Sequence, residues 1–449
     1  MSELELHQDP HEMAITLNDR RSFLKLLAAA PLFATLGTRK LAAAVSNTAA
    51  KAAAGGSPHS LTSNLYTRLG VRPFINARGT WTYLSGSLEL PPVRKAAEEA
   101  SHYFVDLYEL QEAAGAHLAK MSGAEDGMVT SGSAGAMSSA AAGCMAGTDP
   151  KRIYQLPDTT GMKNEIIIMG GRSAFDSALR LTGAKLIVCR TPEELKTAIN
   201  PQTAMIYTTG RGDRLTAVLA ISKPAGVPVL LDEAAGIPPY ENFTDLVKTG
   251  VDMYCFSGGK GLCGPQSSGL LLGRKDLITA AKYNSSPWEG AVCRPMKVGK
   301  EEVMGVLAAI DYWSTADLAA LNKEWQGRVE RIKKMIDTVP GVTSTIATPT
   351  GGNSYPTLTV SWDEAKWNFT TVQCDAALRA YTPRIEVLTA SNPSGVLARD
   401  RVNTPPRPGS NARPNRVQII SMTIQPGEEL IVGAALRKIL GDARKAAYA

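Results

Sequence analysis

Lys260 lies in the run Cys255-Phe256-Ser257-Gly258-Gly259-Lys260-Gly261, just past an apolar segment and flanked by glycines that would clear space for a bulky group. Lysines normally sit on polar, exposed stretches, so a lysine at the end of a buried strand needs a partner or a covalent role. Burial beside a cationic ring lowers its pKa and favours the neutral amine, the form that attacks an aldehyde. Asp232 ends the apolar run Val229-Leu230-Leu231 and precedes Lys260 by 28 residues (260 − 232). An acid there occupies the carboxyl end of a strand, where α/β proteins place ligands, and can pair with a protonated ring nitrogen. The acid could instead cap the following helix, a role that suits Glu233 better than Asp232. A third segment, Thr130-Ser131-Gly132-Ser133-Ala134-Gly135-Ala136, reads as a turn into a helix. Its small residues admit a phosphate to the helix N-terminus, where N–H groups are unpaired and the dipole is positive. Helix capping alone would also place Ser and Gly there.

Together the three segments supply what pyridoxal phosphate (PLP) requires. Lys260 would take the aldehyde in a Schiff base, and Asp232 would keep the pyridine nitrogen protonated so that the ring acts as an electron sink. Ser131, Gly132, Ser133 and Ala134 would cradle the phosphate, with Ser257 adding a hydroxyl. A phosphate-binding loop centred on Lys260 is excluded, because Gly261 follows the lysine where that motif needs Ser or Thr. The interval from Asp232 to Lys260 holds one helix and one strand, so both can reach one cofactor from neighbouring strand ends.

The elements that must position these residues alternate along the chain. Short apolar runs at 165–169, 185–189, 204–208, 227–231, 253–256 and 269–272 read as buried strands. Helical stretches at 91–108, 110–121, 133–146, 173–182 and 192–199 accompany them. This pattern predicts an α/β fold with a mostly parallel sheet covered on both faces, over residues 61–314. Beyond a long charged helix at 315–337, strands at 357–362 and 417–423 and a helix at 428–440 predict a smaller C-terminal α+β domain, 315–449. Residues 403–414 are too rich in Pro and Gly for regular structure and predict an exposed loop.

Composition narrows the function. The net charge of +6 comes from dispersed residues rather than a basic stripe, so no nucleic acid partner is expected. The six cysteines form no C-x-x-C pair and only five histidines are present, which argues against a metal site. Near the N-terminus, Asp19-Arg20-Arg21-Ser22-Phe23-Leu24-Lys25 precedes an apolar run at 26–36, two basic residues and Ala42-Ala43-Ala44. About 11 apolar positions are too few to span a bilayer. The pattern resembles a twin-arginine (Tat) signal over 1–44, followed by a flexible linker over 45–60. It implies passage through the Tat export machinery and a periplasmic location.

From residue 65 to 313 the chain resembles fold-type I PLP enzymes of the selenocysteine-synthase-like (SelA-like) and D-glucosaminate-6-phosphate ammonia-lyase-like group. The resemblance is carried by residues 69–80 (Leu69 to Thr80), Thr130 to Ala134 and Asp232-Glu233-Ala234-Ala235. The most specific pieces are residues 256–269, around Lys260, and 294–301, beginning Arg294-Pro295-Met296-Lys297. It implies Lys260 as the cofactor lysine, Asp232 as the pyridinium partner and a homodimer or higher homo-oligomer with active sites at subunit interfaces. A substrate carboxylate calls for an arginine fork. Arg294 and Arg78 are the candidates because both lie in these motifs, with Lys297 as a further anion contact; a salt bridge is the better reading of Arg384. One departure stands out. Relatives near the ammonia-lyase often read His-Arg-Asn-Ala-Tyr-Asp where this chain reads Gly171-Arg172-Ser173-Ala174-Phe175-Asp176, which leaves Arg172 or Phe175 as candidates for any role that the histidine has there. The expected activity is a PLP-dependent lyase of the α,β-elimination type acting on a small amino acid or amino-sugar acid. Aminotransferase and racemase are the alternatives. Selenium transfer to seryl-tRNA fits poorly, because a signal and linker stand where an RNA-binding domain would be needed.

Overall fold

Strands covered on both faces must be apolar throughout, and the central strands meet this condition. The computed structural model describes residues 64–350, 352–389 and 416–449. The Tat-like segment, the linker and the 403–414 loop lie outside the described residues. Strands β1 (Phe74–Ala77), β2 (Asp126–Thr130), β3 (Glu165–Met169), β4 (Lys185–Cys189), β5 (Thr203–Thr209) and β6 (Val229–Asp232) are followed by β7 (Met253–Ser257) and β8 (Gly269–Gly273). The C-terminal strands are β9 (Thr343–Ala347), β10 (Thr357–Ser361), β11 (Arg384–Thr389) and β12 (Val417–Ile420). Seven strands form one sheet in the order β2-β8-β7-β6-β5-β3-β4. Its β7, β6, β5, β3 and β4 run parallel, while β8 is antiparallel to both β7 and β2. The expected α/β architecture with a mostly parallel sheet is the observed one.

Helices cover the two faces of this sheet. The helix Gly132–Ala146 is Ala-, Gly- and Ser-rich and buried almost all round. Its small side chains let another helix, Lys275–Tyr283, come close: a Cβ on Gly143 would lie 2.8 Å from the Ala281 nitrogen. The expected helix over 91–108 is interrupted. Pro91–Ser101 ends near His102, and a new helix, Leu107–Ser122, starts where the Asp106 carboxylate accepts from the Tyr108 and Glu109 N–H groups. Residues 173–182 hold only two short turns, Ala174–Asp176 and Ser177–Arg180, rather than one helix.

The second sheet has five strands in the order β1-β11-β12-β10-β9. Here the expected division at 314/315 needs correcting. The chain does change character there, since the helix Lys300–Thr315 ends and the helix Leu318–Ile336 starts at the Asp317 cap. Yet β1, from residues assigned to the large domain, pairs in parallel with β11 and completes the small sheet. The helix Leu318–Ile336 serves both cores: Trp325 packs with the large-sheet cluster, while Val329, Ile332 and Ile336 pack with the small one.

Strand β11 escapes a hydropathy reading because Glu386 lies in it, fully buried. Its carboxylate accepts from Arg379 Nη2 at 2.9 Å and is also paired with Arg384, the salt-bridge role expected of that arginine. Glu386→Ala would leave two guanidinium groups without their shared partner and is expected to cost about 3–5 kcal/mol. Denaturant unfolding compared with wild type measures this directly.

Candidate active site

The strand ends of the large sheet bring the chemistry together. Register places Thr209 beside Asp232 and Asp232 beside Cys255. Two residues further along β7, Ser257 lies opposite Gly269, which in turn lies opposite Thr130. The carboxyl ends of β5, β6, β7 and β2 therefore share one edge. The helix Glu241–Thr249 and strand β7 fill the interval between Asp232 and Lys260, as expected. Both side chains face a single cavity of about 760 Å³.

Asp232 is held by three donors. Tyr207 Oη donates to Oδ2 at 2.7 Å, the Ala234 N–H donates to Oδ1 at 3.0 Å, and the Cys255 thiol lies 3.8 Å from Oδ1. Burial, then the Asp232 charge, pushes both the Tyr207 hydroxyl and the Cys255 thiol well above their ordinary pKa values, so both keep their protons. Burial lowers the pKa of Lys260, opposed by the Asp232 carboxylate and by Cys255. A larger share of neutral amine results, as nucleophilic attack requires.

The loop carrying Lys260 is packed against the protein itself, which corrects one expectation. Its glycines do not clear space for a bulky ligand. A Cβ on Gly258 would lie 1.9 Å from Ser268 Oγ, one on Gly259 2.6 Å from Gln266 Cα, and one on Gly261 1.8 Å from Tyr355 Oη. The glycines admit the chain's own atoms and so fix the lysine backbone.

At the other end of the edge, the helix Gly132–Ala146 begins at Ser131, whose side chain makes no capping hydrogen bond. Gly132 takes a φ of +71°, and Gly269 must lack a Cβ because that atom would lie 2.3 Å from the Gly132 carbonyl carbon. The helix N-terminus is thus folded over the start of β8. Ser131, Gly132, Ser133 and Ser257 remain half-buried and Ala134 is exposed, so the turn is accessible to an anion.

The three expected substrate residues are not brought to this cavity, since none of Arg78, Arg294 and Lys297 lines it. Arg78 follows β1 and is 1% exposed. Its Nη1 donates to the Val387 carbonyl at 3.0 Å and its guanidinium lies over the rings of Trp81 and Tyr83. Arg294 is half-buried and Lys297 exposed outside it. The cation that does line the cavity is Arg211, which follows β5. Its Nη2 donates to Glu233 Oε2 at 2.7 Å and its Nη1 to Asn242 Oδ1. Its position just past a strand's carboxyl end was the available signal. Tyr207 carried a signal too, as a buried tyrosine whose hydroxyl needs a partner. Of the two residues expected to stand in for the missing histidine, Arg172 is committed to Asp176, whereas the Phe175 ring centroid lies 5.8 Å from Lys260 Nζ.

A half-buried lysine amine of lowered pKa, a carboxylate that accepts two hydrogen bonds in the same cavity and an open helix N-terminus on the same edge fit pyridoxal phosphate group by group. The fold and this site define a fold-type I PLP enzyme. The aminotransferase class-V family matches residues 180–376. A 5'-C-glycyluridine monooxygenase-decarboxylase from a Streptomyces species is 31% identical, over 71% of this chain and 83% of that protein. The D-glucosaminate-6-phosphate ammonia lyase of Salmonella typhimurium is 29% identical, over 61% of this chain and 76% of its own. A solved D-glucosaminate-6-phosphate ammonia-lyase structure superposes with a TM-score of 0.69 at 24% identity, covering 85% of this chain and 100% of that one. The chain belongs to the PLP-dependent enzymes of the aminotransferase class-V, fold-type I family.

Capture of PLP by the cofactor-free protein requires the neutral Lys260 amine. Its rate is expected to rise with pH through a midpoint below 10.5, the ordinary lysine value. Lys260→Ala should give no borohydride-fixed adduct by mass spectrometry.

Proposed function

We propose that this protein is a PLP-dependent lyase that eliminates a β-substituent, with release of ammonia, from a small amino acid or amino-sugar acid. The carrying observation is the cavity that holds Lys260 and Asp232 together with a fixed guanidinium. When bound, the cofactor supplies the sink for the electrons left on Cα. Asp232 keeps the ring nitrogen paired with a negative charge. Lys260 Nζ, its pKa lowered by burial, would take the α-proton and could return it to the leaving group. Phe175 covers the lysine, and Arg211, fixed by Glu233 and Asn242, offers a cation to the substrate's acidic group. The relative named an ammonia lyase supports this reading.

A second reading follows from the relative named a monooxygenase-decarboxylase, and transamination and racemisation share the first proton removal. The PLP-loaded protein should be incubated with amino-sugar acids and with L- and D-amino acids. Catalytic ammonia and keto-acid release without oxygen uptake is the expected result, lost in Lys260→Ala. Oxygen uptake with carbon dioxide release would replace the lyase reading by the second. Inversion of the α-carbon alone would indicate a racemase, and keto acid formed with amino transfer to an acceptor an aminotransferase.

We further propose that the protein is carried to the periplasm by the Tat machinery and acts as a homodimer or larger homo-oligomer. The Arg20-Arg21 segment supports the first point, and the exposed apolar residues Leu65, Tyr66, Leu69, Tyr103 and Phe104 support the second. Replacing Arg20 and Arg21 with Lys should retain the protein in the cytoplasm by fractionation; unchanged export would sink the proposal.

A further inference from the structure

Tyr207 is 4% exposed, in the middle of β5, and its only polar atom is spent on Asp232. The register sets Tyr207 beside Leu230 rather than beside Asp232, so the side chain reaches along the sheet to the carboxylate. Ile168, Met205, Leu230 and Cys255 belong to the same buried cluster, and the buried Asp176 carboxylate also acts on the hydroxyl. In such surroundings a hydroxyl that donates to a carboxylate stabilises the ionised form strongly.

We propose that Tyr207 is a positioning residue that acts through Asp232, fixing the carboxylate's orientation by its hydrogen bond so that the proton of a paired pyridine ring stays on the ring nitrogen. The physical argument is a competition for one proton. Between a ring nitrogen and a carboxylate, the proton resides on whichever is the stronger base in that setting. A short hydrogen bond from Tyr207 weakens Asp232 as a base, and the Ala234 N–H acts in the same direction on the other oxygen. Without the hydroxyl, a half-buried carboxylate would tend to recover the proton, and the ring would lose part of the positive charge that makes it an electron sink. Tyr207 does not itself lose a proton in this role. Burial and the Asp232 charge both hold its hydroxyl protonated.

The inference rests on the PLP reading, and the test separates the two. Wild type and Tyr207→Phe are loaded with PLP labelled with ¹⁵N in the ring, and the ring-nitrogen chemical shift is read by NMR alongside the PLP Kd of the cofactor-free proteins. The wild type should show a protonated ring. The Phe variant should shift toward the unprotonated value and bind PLP about tenfold more weakly, the loss of one charge-assisted hydrogen bond. A merely structural tyrosine would lower the melting temperature without moving the ¹⁵N shift, and that result would overturn the inference. Should the Phe variant fail to fold, 3-fluorotyrosine at position 207 keeps the ring volume and strengthens the donor. It should keep the nitrogen fully protonated and tighten PLP binding, and weaker binding with a less protonated nitrogen would overturn the inference. A wild type that takes up no PLP would instead remove the cofactor reading itself, and this inference with it.

Discussion

A lysine amine and an aspartate carboxylate drawn out of water at the end of one sheet would each carry a large desolvation cost if left alone. The structure meets that cost by setting them in one cavity and surrounding the carboxylate with donors. Tyr207, the Ala234 N–H and Cys255 stabilise Asp232, while burial, opposed by the Asp232 charge and by Cys255, leaves Lys260 with a lowered pKa. The asymmetry is useful. The carboxylate is surrounded by donors, as ring pairing requires, and the lysine pKa is lowered, as nucleophilic attack requires.

The rest of the fold can be understood as holding that pair in place. Parallel β5, β6 and β7 deliver Thr209, Asp232 and Cys255 side by side. The antiparallel β8 begins beside Ser257 and Thr130, linking the lysine loop to the helix that starts at Ser131. Close packing does the fine positioning. The glycines at 258, 259 and 261 have no room for a side chain, so the lysine loop has little freedom to shift. From the other direction, residues after β9 reach the cavity, with Thr350 and Ser354 in its lining, and the Asn353 N–H donates to the Ala235 carbonyl at 3.1 Å. The small sheet is therefore part of the site rather than an appendage.

On the substrate side, the cavity draws its arginine from a strand end rather than from the motif segments. Arg78 and Arg294 stand in distinctive segments but do not line the cavity. Arg78 instead ties the end of β1 to β11 through the Val387 carbonyl, a structural task. Arg211 stands in none of these segments, yet it lines the cavity because β5 ends there.

Local signals in the chain were sufficient for several features. Apolar runs with both faces buried identified β3 to β8, and the setting of Lys260, Asp232 and the Ser131 turn identified the cofactor, because each is a short-range pattern with a direct chemical meaning. The polar strands were not legible. Strand β11 depends on Glu386 being neutralised by Arg379 and Arg384, and β2 opens on Asp126, which is paired with Lys282 from another helix. The transfer of β1 to the small sheet, the partnership of Tyr207 with Asp232 and the presence of Arg211 in the cavity were decided only by tertiary structure. Each rests on residues far apart in sequence meeting at a strand end, and a linear pattern carries no record of which strands lie side by side.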